Sequence, residues 1–243
     1  MEFYRDLAVE CGGPVLEPGC GSGRTLFPVA AAGLAATGLE LSPEMLAAAR
    51  SRAATLPPEA AARVTLLRGD MRDPPELPGP FRLISLPYRT FQHLLTPADQ
   101  FAALAGFHDL LEPGGRLALN QFDPSLDLEA VVLRGPPAET PVDRLPVDTE
   151  FTDEGGTRVR VRYRREYDLA EQLLRQELHF QSLDAGGGVA GSERGELVLR
   201  YTFRYEMEWL LEAAGFRPVA LWGGFDGRPY PGHGEQVWVA EAV

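Results

Sequence analysis

The run Val15-Leu16-Glu17-Pro18-Gly19-Cys20-Gly21-Ser22-Gly23 joins two different patterns. Val15 and Leu16 end an apolar stretch of the kind a buried parallel strand carries, and Thr25 to Ala32 resumes an apolar helical spacing. Between them Gly19, Gly21 and Gly23 predict a turn that side chains would crowd. A strand, a glycine loop and a helix in that order let the backbone approach a ligand closely and aim amides at it from a helix start, which suits a nucleotide or a carboxylate. A dinucleotide site wants G-x-G-x-x-G, whereas the spacing here is G-x-G-x-G and Arg24 stands where a further small residue would be needed. Glu17 adds an acid just before the loop.

The same rhythm continues downstream. Ala35 to Leu39 predicts a second strand with Glu40 at its carboxyl end, 17 residues past Gly23, where a carboxylate can accept two hydrogen bonds from a ribose diol. Ser42-Pro-Glu-Met-Leu46 then starts a helix, with Ser42 as N-cap and Pro43 in the first turn. Leu41 and Met45 are placed to flank an adenine, with core packing as the other reading of Met45. Val64 to Leu67 predicts a third strand that ends near Asp70, and Phe81 to Leu86 a fourth, central one. The exit of that strand, Pro87 to Leu94, falls where ligands bind in open α/β sheets and is the candidate reaction centre. Asp99 to Leu111 reads as a helix, Arg116 to Phe122 as a fifth strand, Tyr205 to Ala214 as the last helix, and Arg217 to Trp222 and Gln236 to Ala240 as the strands that complete the sheet.

Three acids at successive strand ends behind a glycine triplet resemble the class I methyltransferases that use S-adenosylmethionine. Gly38-Leu-Glu-Leu-Ser42, Gly69-Asp-Met-Arg-Asp73, Glu112-Pro-Gly-Gly115, Pro87 to Leu94 and Gly224 to Tyr230 look most like the bacterial small-molecule members. The resemblance implies an α/β fold, a Rossmann-like seven-stranded sheet with an antiparallel β insert between the fifth strand and the last helix. It assigns residues 1–122 and 204–243 to the cofactor-binding core and 123–203 to the insert. It implies S-adenosyl-L-methionine as cofactor, held by Glu17, Gly19, Cys20, Gly21, Gly23, Arg24, Glu40, Leu41, Met45, Asp70, Met71 and Leu86. Within that set Asp70 would accept from the adenine amino group and the Met71 amide would serve a ring nitrogen.

The insert reads as proline-rich coil (Pro136, Pro137, Pro141, Pro146) followed by three alternating strands, Thr157 to Tyr167, Gln176 to Leu183 and Glu196 to Phe203. These are similar to strands of sugar N,N-dimethyltransferases acting on nucleotide-linked amino sugars, where they wall the acceptor pocket and pair subunits, so a homodimer is expected. At the amino terminus only Glu2 to Glu10 precedes the first strand, with Phe3, Leu7 and Tyr4 facing inward as a helix.

Methyl transfer from a sulfonium to N or O of a small-molecule acceptor is an in-line displacement. Alignment alone can lower its barrier by about 7–11 kcal/mol, so neither a dedicated nucleophile nor a metal is expected. His93 is the candidate proton acceptor because histidine titrates near neutral pH, with Tyr88 and Arg89 as positioning groups. The other reading makes His93 a cap or packing residue and pairs Arg89 with a neighbouring acid. Two further function classes stay open: a non-catalytic cofactor-binding module and a nicotinamide-dependent oxidoreductase.

Composition narrows the partners. The 243 residues carry a net charge of −12, which disfavours nucleic acid; the arginines at 158, 160, 162, 164 and 165 read as a solvated strand face opposed by acids. All 23 basic residues are arginine, which removes P-loop and lysine Schiff-base chemistry. Cys11 and Cys20 are too few for a disulfide scaffold and read as free thiols in a reducing compartment. With no apolar run of membrane-spanning length and no leader pattern, the expected location is the cytoplasm, with no membrane partner.

Overall fold

Apolar runs become parallel strands here because both faces of the sheet are covered, so the strands carry continuous apolar sequence rather than alternation. The computed structural model describes residues 2–124, 139–153 and 155–243. All four residues of β1 (Val15–Pro18) are buried, and of β4 (Phe81–Leu86) only Arg82 is exposed. β1 pairs in parallel with β4 on one side and β2 (Ala36–Glu40) on the other. β3 (Val64–Arg68) lies beyond β2 and β5 (Leu111–Asp123) beyond β4. Late in the chain β10 (Phe216–Trp222) and β11 (Gly234–Ala242) join, β11 antiparallel to both β5 and β10, giving the order β10-β11-β5-β4-β1-β2-β3. This is the seven-stranded α/β sheet that the sequence predicts, with β4 at its centre.

The helices follow their signals. α1 (Glu2–Cys11) buries Tyr4, Leu7 and Ala8, and α2 (Leu26–Ala31) packs behind the glycine loop. Ser42 caps α3 (Pro43–Ala53) by accepting from the Met45 amide at 3.1 Å; a single turn, α4 (Pro58–Ala61), leads to β3. Thr96 caps α5 (Pro97–Leu110) in the same way, at 3.0 Å from the Asp99 amide. α6 (Arg204–Ala213) precedes β10. Alternation along the strands sorts the core into two clusters: Leu16, Ile84 and Leu119 pack with Phe107 and Leu211, while Val15, Leu83 and Ala118 pack with Leu7 and Leu26.

The chain divides into two compact units, Met1–Asp123 with Thr202–Val243, and Pro124–Tyr201. Among the described residues the second unit holds an antiparallel sheet of four strands, β6 (Val147–Thr152), β7 (Arg158–Asp168), β8 (Leu173–Leu183) and β9 (Val189–Arg200). The sequence predicts three. β6 was invisible because all six of its residues are exposed, so it has no apolar face to generate a period. The predicted coil residues Pro136 and Pro137 lie outside the described residues. On β7 Arg160 alternates with the buried Val159 and Val161 and pairs with Glu150 at 2.5 Å, Arg162 bonds Gln181 at 3.2 Å, and Arg165, of the other parity, pairs with Asp148 at 3.3 Å.

Packing between β2 and the glycine loop leaves no room for a side chain at Gly38. A Cβ there would meet Cys20 Sγ at 2.6 Å, Leu26 Cδ2 at 2.7 Å and Leu66 Cδ2 at 3.0 Å. Gly38→Ala is therefore expected to destabilise the first unit by about 1–3 kcal/mol, read as a lower urea midpoint.

Candidate active site

The carboxyl ends of β1, β2 and β3 open on a cavity of about 940 Å³. Gly19, Gly21, Glu40, Leu41, Met45, Asp70 and Met71 line it, joined by Thr90, His93 and Leu94 from the segment after β4. Glu40 is fixed at its mouth: Oε2 accepts from the Gly21 amide and Oε1 from the Ser42 amide, both at 2.8 Å. Each oxygen keeps a second lone pair for a ligand. Leu41 and Met45 are 57% and 43% exposed, apolar side chains standing open in the wall where an aromatic base can lie between them. Gly19 is needed on two counts, a φ of +69° and a Cβ position that would run into Thr90 Cγ2.

The glycine loop works differently from its sequence reading. Its amides turn inward, those of Gly19 and Cys20 to the Leu39 carbonyl at 2.7 and 3.1 Å and that of Gly23 to the Cys20 carbonyl at 2.9 Å, while Gly21 serves Glu40. Backbone donors beside buried strands must be paired, so the loop contributes thinness and a held carboxylate in place of a row of free amides. Asp70 lines the cavity but is gripped by Arg72, which donates from Nε at 3.0 Å and from a terminal nitrogen at 2.6 Å and also reaches Asp99 at 3.1 Å. Hydrogen bonds from Arg72 hold the Asp70 carboxyl below its usual range, so it is charged at neutral pH.

Five predicted cofactor residues do not reach this cavity. Cys20 is buried, its thiol pushed up to about 12 by burial with help from Glu17 and Glu40. It packs against the core and is chemically quiet. Leu86 has no exposed surface and belongs to the apolar core beside α5. Gly23 backs onto the Phe27 ring, and the Arg24 guanidinium lies over the Tyr88 ring at 4.2 Å. Glu17 is 2% exposed on β1; burial raises its pKa well above the usual value and the nearby Arg24 charge opposes this.

A second cleft, of about 600 Å³, is lined by Tyr88, Arg89, Asn120, Phe225, Glu235 and neighbours in the loop from Gly224 to Arg228. Tyr88 and Arg89 are both in the left-handed region, at φ 58° and 64°, which sets their side chains on this side of the turn while Thr90 and His93 line the first cavity. The predicted trio of Tyr88, Arg89 and His93 is therefore divided. A 3-10 turn, Thr90–His93, carries His93 round toward Glu40, and burial lowers its pKa while the Glu40 charge pulls the other way. Tyr4, fully buried, donates to Asn120 Oδ1 at 2.8 Å; Asn120 donates to Glu235 Oε1 at 2.6 Å; Arg89 donates to Glu235 Oε2 at 2.7 Å. Asn120 and Glu235 were not predicted as site residues. A lone asparagine inside the apolar run of β5 was the available signal.

Comparison with known proteins follows the same outline. A family profile described as a methyltransferase domain matches residues 15–115. The chain is 32% identical over 215 residues to dTDP-3-amino-3,4,6-trideoxy-alpha-D-glucopyranose N,N-dimethyltransferase of Streptomyces venezuelae, covering 88% of this chain and 79% of that protein. It is 32% identical over 114 residues to an uncharacterized methyltransferase of Synechocystis sp., covering 47% of this chain and spanning about half, 49%, of that relative's length. The structure of CalS10 with bound S-adenosylmethionine, an amino pentose methyltransferase from Micromonospora echinaspora, superposes with a TM-score of 0.69 at 26% identity, covering 100% of this chain and 90% of that one.

Burial of Glu17 makes a pH-dependent prediction. Below the ordinary carboxylate range the folded and unfolded chains both hold its proton. Above it the unfolded chain releases the proton while the folded site keeps it, so stability falls as pH rises toward the folded-state pKa, by about 1.4 kcal/mol per pH unit. Glu17→Gln is expected to melt higher than the native chain at about pH 8, with the gain shrinking toward about pH 5, as followed by thermal unfolding.

Proposed function

The chain belongs to the class I S-adenosylmethionine-dependent methyltransferases of small-molecule type, and from that premise we propose that it methylates an amino nitrogen of a sugar-type acceptor held in the second cleft. S-adenosylmethionine is the methyl donor. One observation carries the proposal: consecutive residues Arg89 and Thr90 line the cleft and the first cavity respectively, so a single turn stands between acceptor space and donor space. The names of the Streptomyces and Micromonospora relatives, which act on amino sugars, support nitrogen as the methylated atom.

Bound in the first cavity, the cofactor supplies an electrophilic methyl group on a sulfonium. The residues present fit it: Glu40 offers two fixed oxygens to a diol, Leu41 and Met45 offer apolar faces to an adenine, and the Met71 amide and Asp70 lie at its far edge. Gly19 keeps the floor thin enough for close approach. What the chain contributes to rate is alignment, which is worth about 7–11 kcal/mol when the reacting atoms are held in line. His93 lines the first cavity with Glu40, and burial favours its neutral form; with the acceptor placed in the second cleft, this reading makes it cavity wall. Pairing of subunits through the four-stranded sheet stays part of the proposal, and sedimentation that shows monomer at all concentrations removes it.

Two measurements test this. Glu40→Ala is expected to weaken cofactor binding by about 1.5–3 kcal/mol, roughly 10- to 150-fold, in calorimetry, because a charge-assisted acceptor of the diol is lost. Unchanged affinity would remove the cofactor placement. With a dTDP-linked 3-amino sugar as acceptor, S-adenosylhomocysteine release is expected, and none with the matching 3-hydroxy sugar; turnover of neither, or of the hydroxy sugar alone, would overturn the amine reading.

A further inference from the structure

We propose that Glu235 is the anchor for a charged amine, so that the second cleft selects an acceptor presenting an ammonium group over one presenting a hydroxyl. This rests on the reading of that cleft as the acceptor site. Four separate elements converge to hold the carboxylate: Tyr4 from α1, Asn120 from β5, Arg89 from the turn after β4, and Glu235 itself near the start of β11. The Asn120 amide can point only one way. A carboxylate oxygen only accepts, so Nδ2 faces Glu235, and the Tyr4 hydroxyl then donates to Oδ1. Burial raises the Tyr4 pKa far above neutrality, with Glu235 and Glu17 adding to the shift, so Tyr4 stays a donor and holds the amide in register.

The lining charges of the cleft pair off, Arg228 with Asp226 and Arg89 with Glu235, and what Glu235 offers a ligand is the unused acceptor capacity of its carboxylate. Arg228 donates from Nε to the Gly223 carbonyl at 2.8 Å and pairs with Asp226 at 3.7 Å, so these two answer one another. Arg89 places one terminal nitrogen on Glu235 and lays its guanidinium over the Phe122 ring at 4.8 Å. Glu235 is 19% exposed, and each of its oxygens holds one donor and retains a second lone pair. An ammonium brings three donors and a charge to such a group; a hydroxyl brings one donor and no charge, and leaves the second lone pair of the other oxygen unmatched. Tyr88, which carries the Arg24 guanidinium on its ring, and Phe225, which packs on Phe3 and Tyr4, are 47% and 46% exposed and add apolar surface to the cleft for N-methyl groups. Glu235 serves in binding and orientation; Tyr4 and Asn120 are positioning residues. The anchored ammonium gives up one proton to solvent at the open cleft before its nitrogen lone pair takes the methyl group and sulfur keeps the bonding pair as S-adenosylhomocysteine.

Asn120 is the only asparagine in the chain, so asparagine labelled with ¹⁵N at the side-chain amide gives a single NH₂ reporter one hydrogen bond from Glu235. Cofactor-saturated protein is titrated with methylammonium chloride, with sodium chloride at matched ionic strength and methanol as controls. A saturable shift of that pair is expected with methylammonium only. Glu235→Gln should abolish it, or weaken apparent affinity about tenfold or more, and Glu235→Asp should retain part of it. Arg89→Gln, which removes the competing cation from an exposed site, should tighten it. A response that sodium chloride reproduces, that survives intact in Glu235→Gln, or that Arg89→Gln leaves unchanged overturns the assignment. Cofactor affinity by calorimetry shows that each variant is folded. Turnover of the dTDP-linked 3-amino sugar tests the acceptor reading on its own, since the NMR response requires no turnover.

Discussion

One carboxylate organises the cavity at the ends of β1, β2 and β3. Glu40 reaches back from the end of β2 to the Gly21 amide and forward to the Ser42 amide. It thereby ties the glycine loop after β1 to the N-cap of α3, and fixes the rim from which Leu41 and Met45 project. Neutral bonds of this sort contribute about 1 kcal/mol each and charge-assisted ones about twice that, so the geometry is held more by Glu40 than by loop propensity. Because a negative group is pinned by backbone amides, it arrives at the cavity already oriented, and a ligand diol need not order it.

The second cleft is bordered by a turn built at the expense of local backbone comfort. Tyr88 and Arg89, consecutive non-glycine residues in the left-handed region, each cost on the order of 1 kcal/mol or more, and the surrounding interactions over-determine them. Arg24 stacks on Tyr88, Arg89 is clamped by Glu235, and the Thr90 hydroxyl bonds the Pro87 carbonyl at 2.6 Å. The same logic applies to Glu17, an acid kept in a dry place next to the loop. The backbone strain falls at the turn between the two cavities, Tyr88 and Arg89 on one side and Thr90 on the other, a pattern expected where stability has yielded to function.

Much of the donor side was legible in the sequence because a strand, loop and helix unit has a fixed local spacing: Gly19, Gly21, Glu40, Asp70 and Met71 all reach the cavity. The side chains of Cys20, inside the glycine turn, and Leu86, at the end of β4, are buried in the core instead, a choice of side that spacing alone does not report. The second cleft was largely illegible. Tyr4 and Asn120 are 116 residues apart, Asn120 and Glu235 115, and Arg89 and Glu235 146, and no periodicity reports such distances. β6 escaped for want of a buried face, and His93 was grouped with Tyr88 and Arg89 because sequence order does not show which side of a left-handed turn a side chain takes.

The central claim, methyl transfer to nitrogen across one turn, is tested most directly by following the methyl carbon itself. With S-adenosylmethionine carrying a ¹³C-methyl group and an acceptor that offers both amino and hydroxyl groups, a carbon–proton correlation spectrum reports the atom to which the label moves. The labelled carbon is expected to leave sulfur and appear bonded to nitrogen. A label found on oxygen, or one that stays on sulfur while the acceptor is bound, would contradict it.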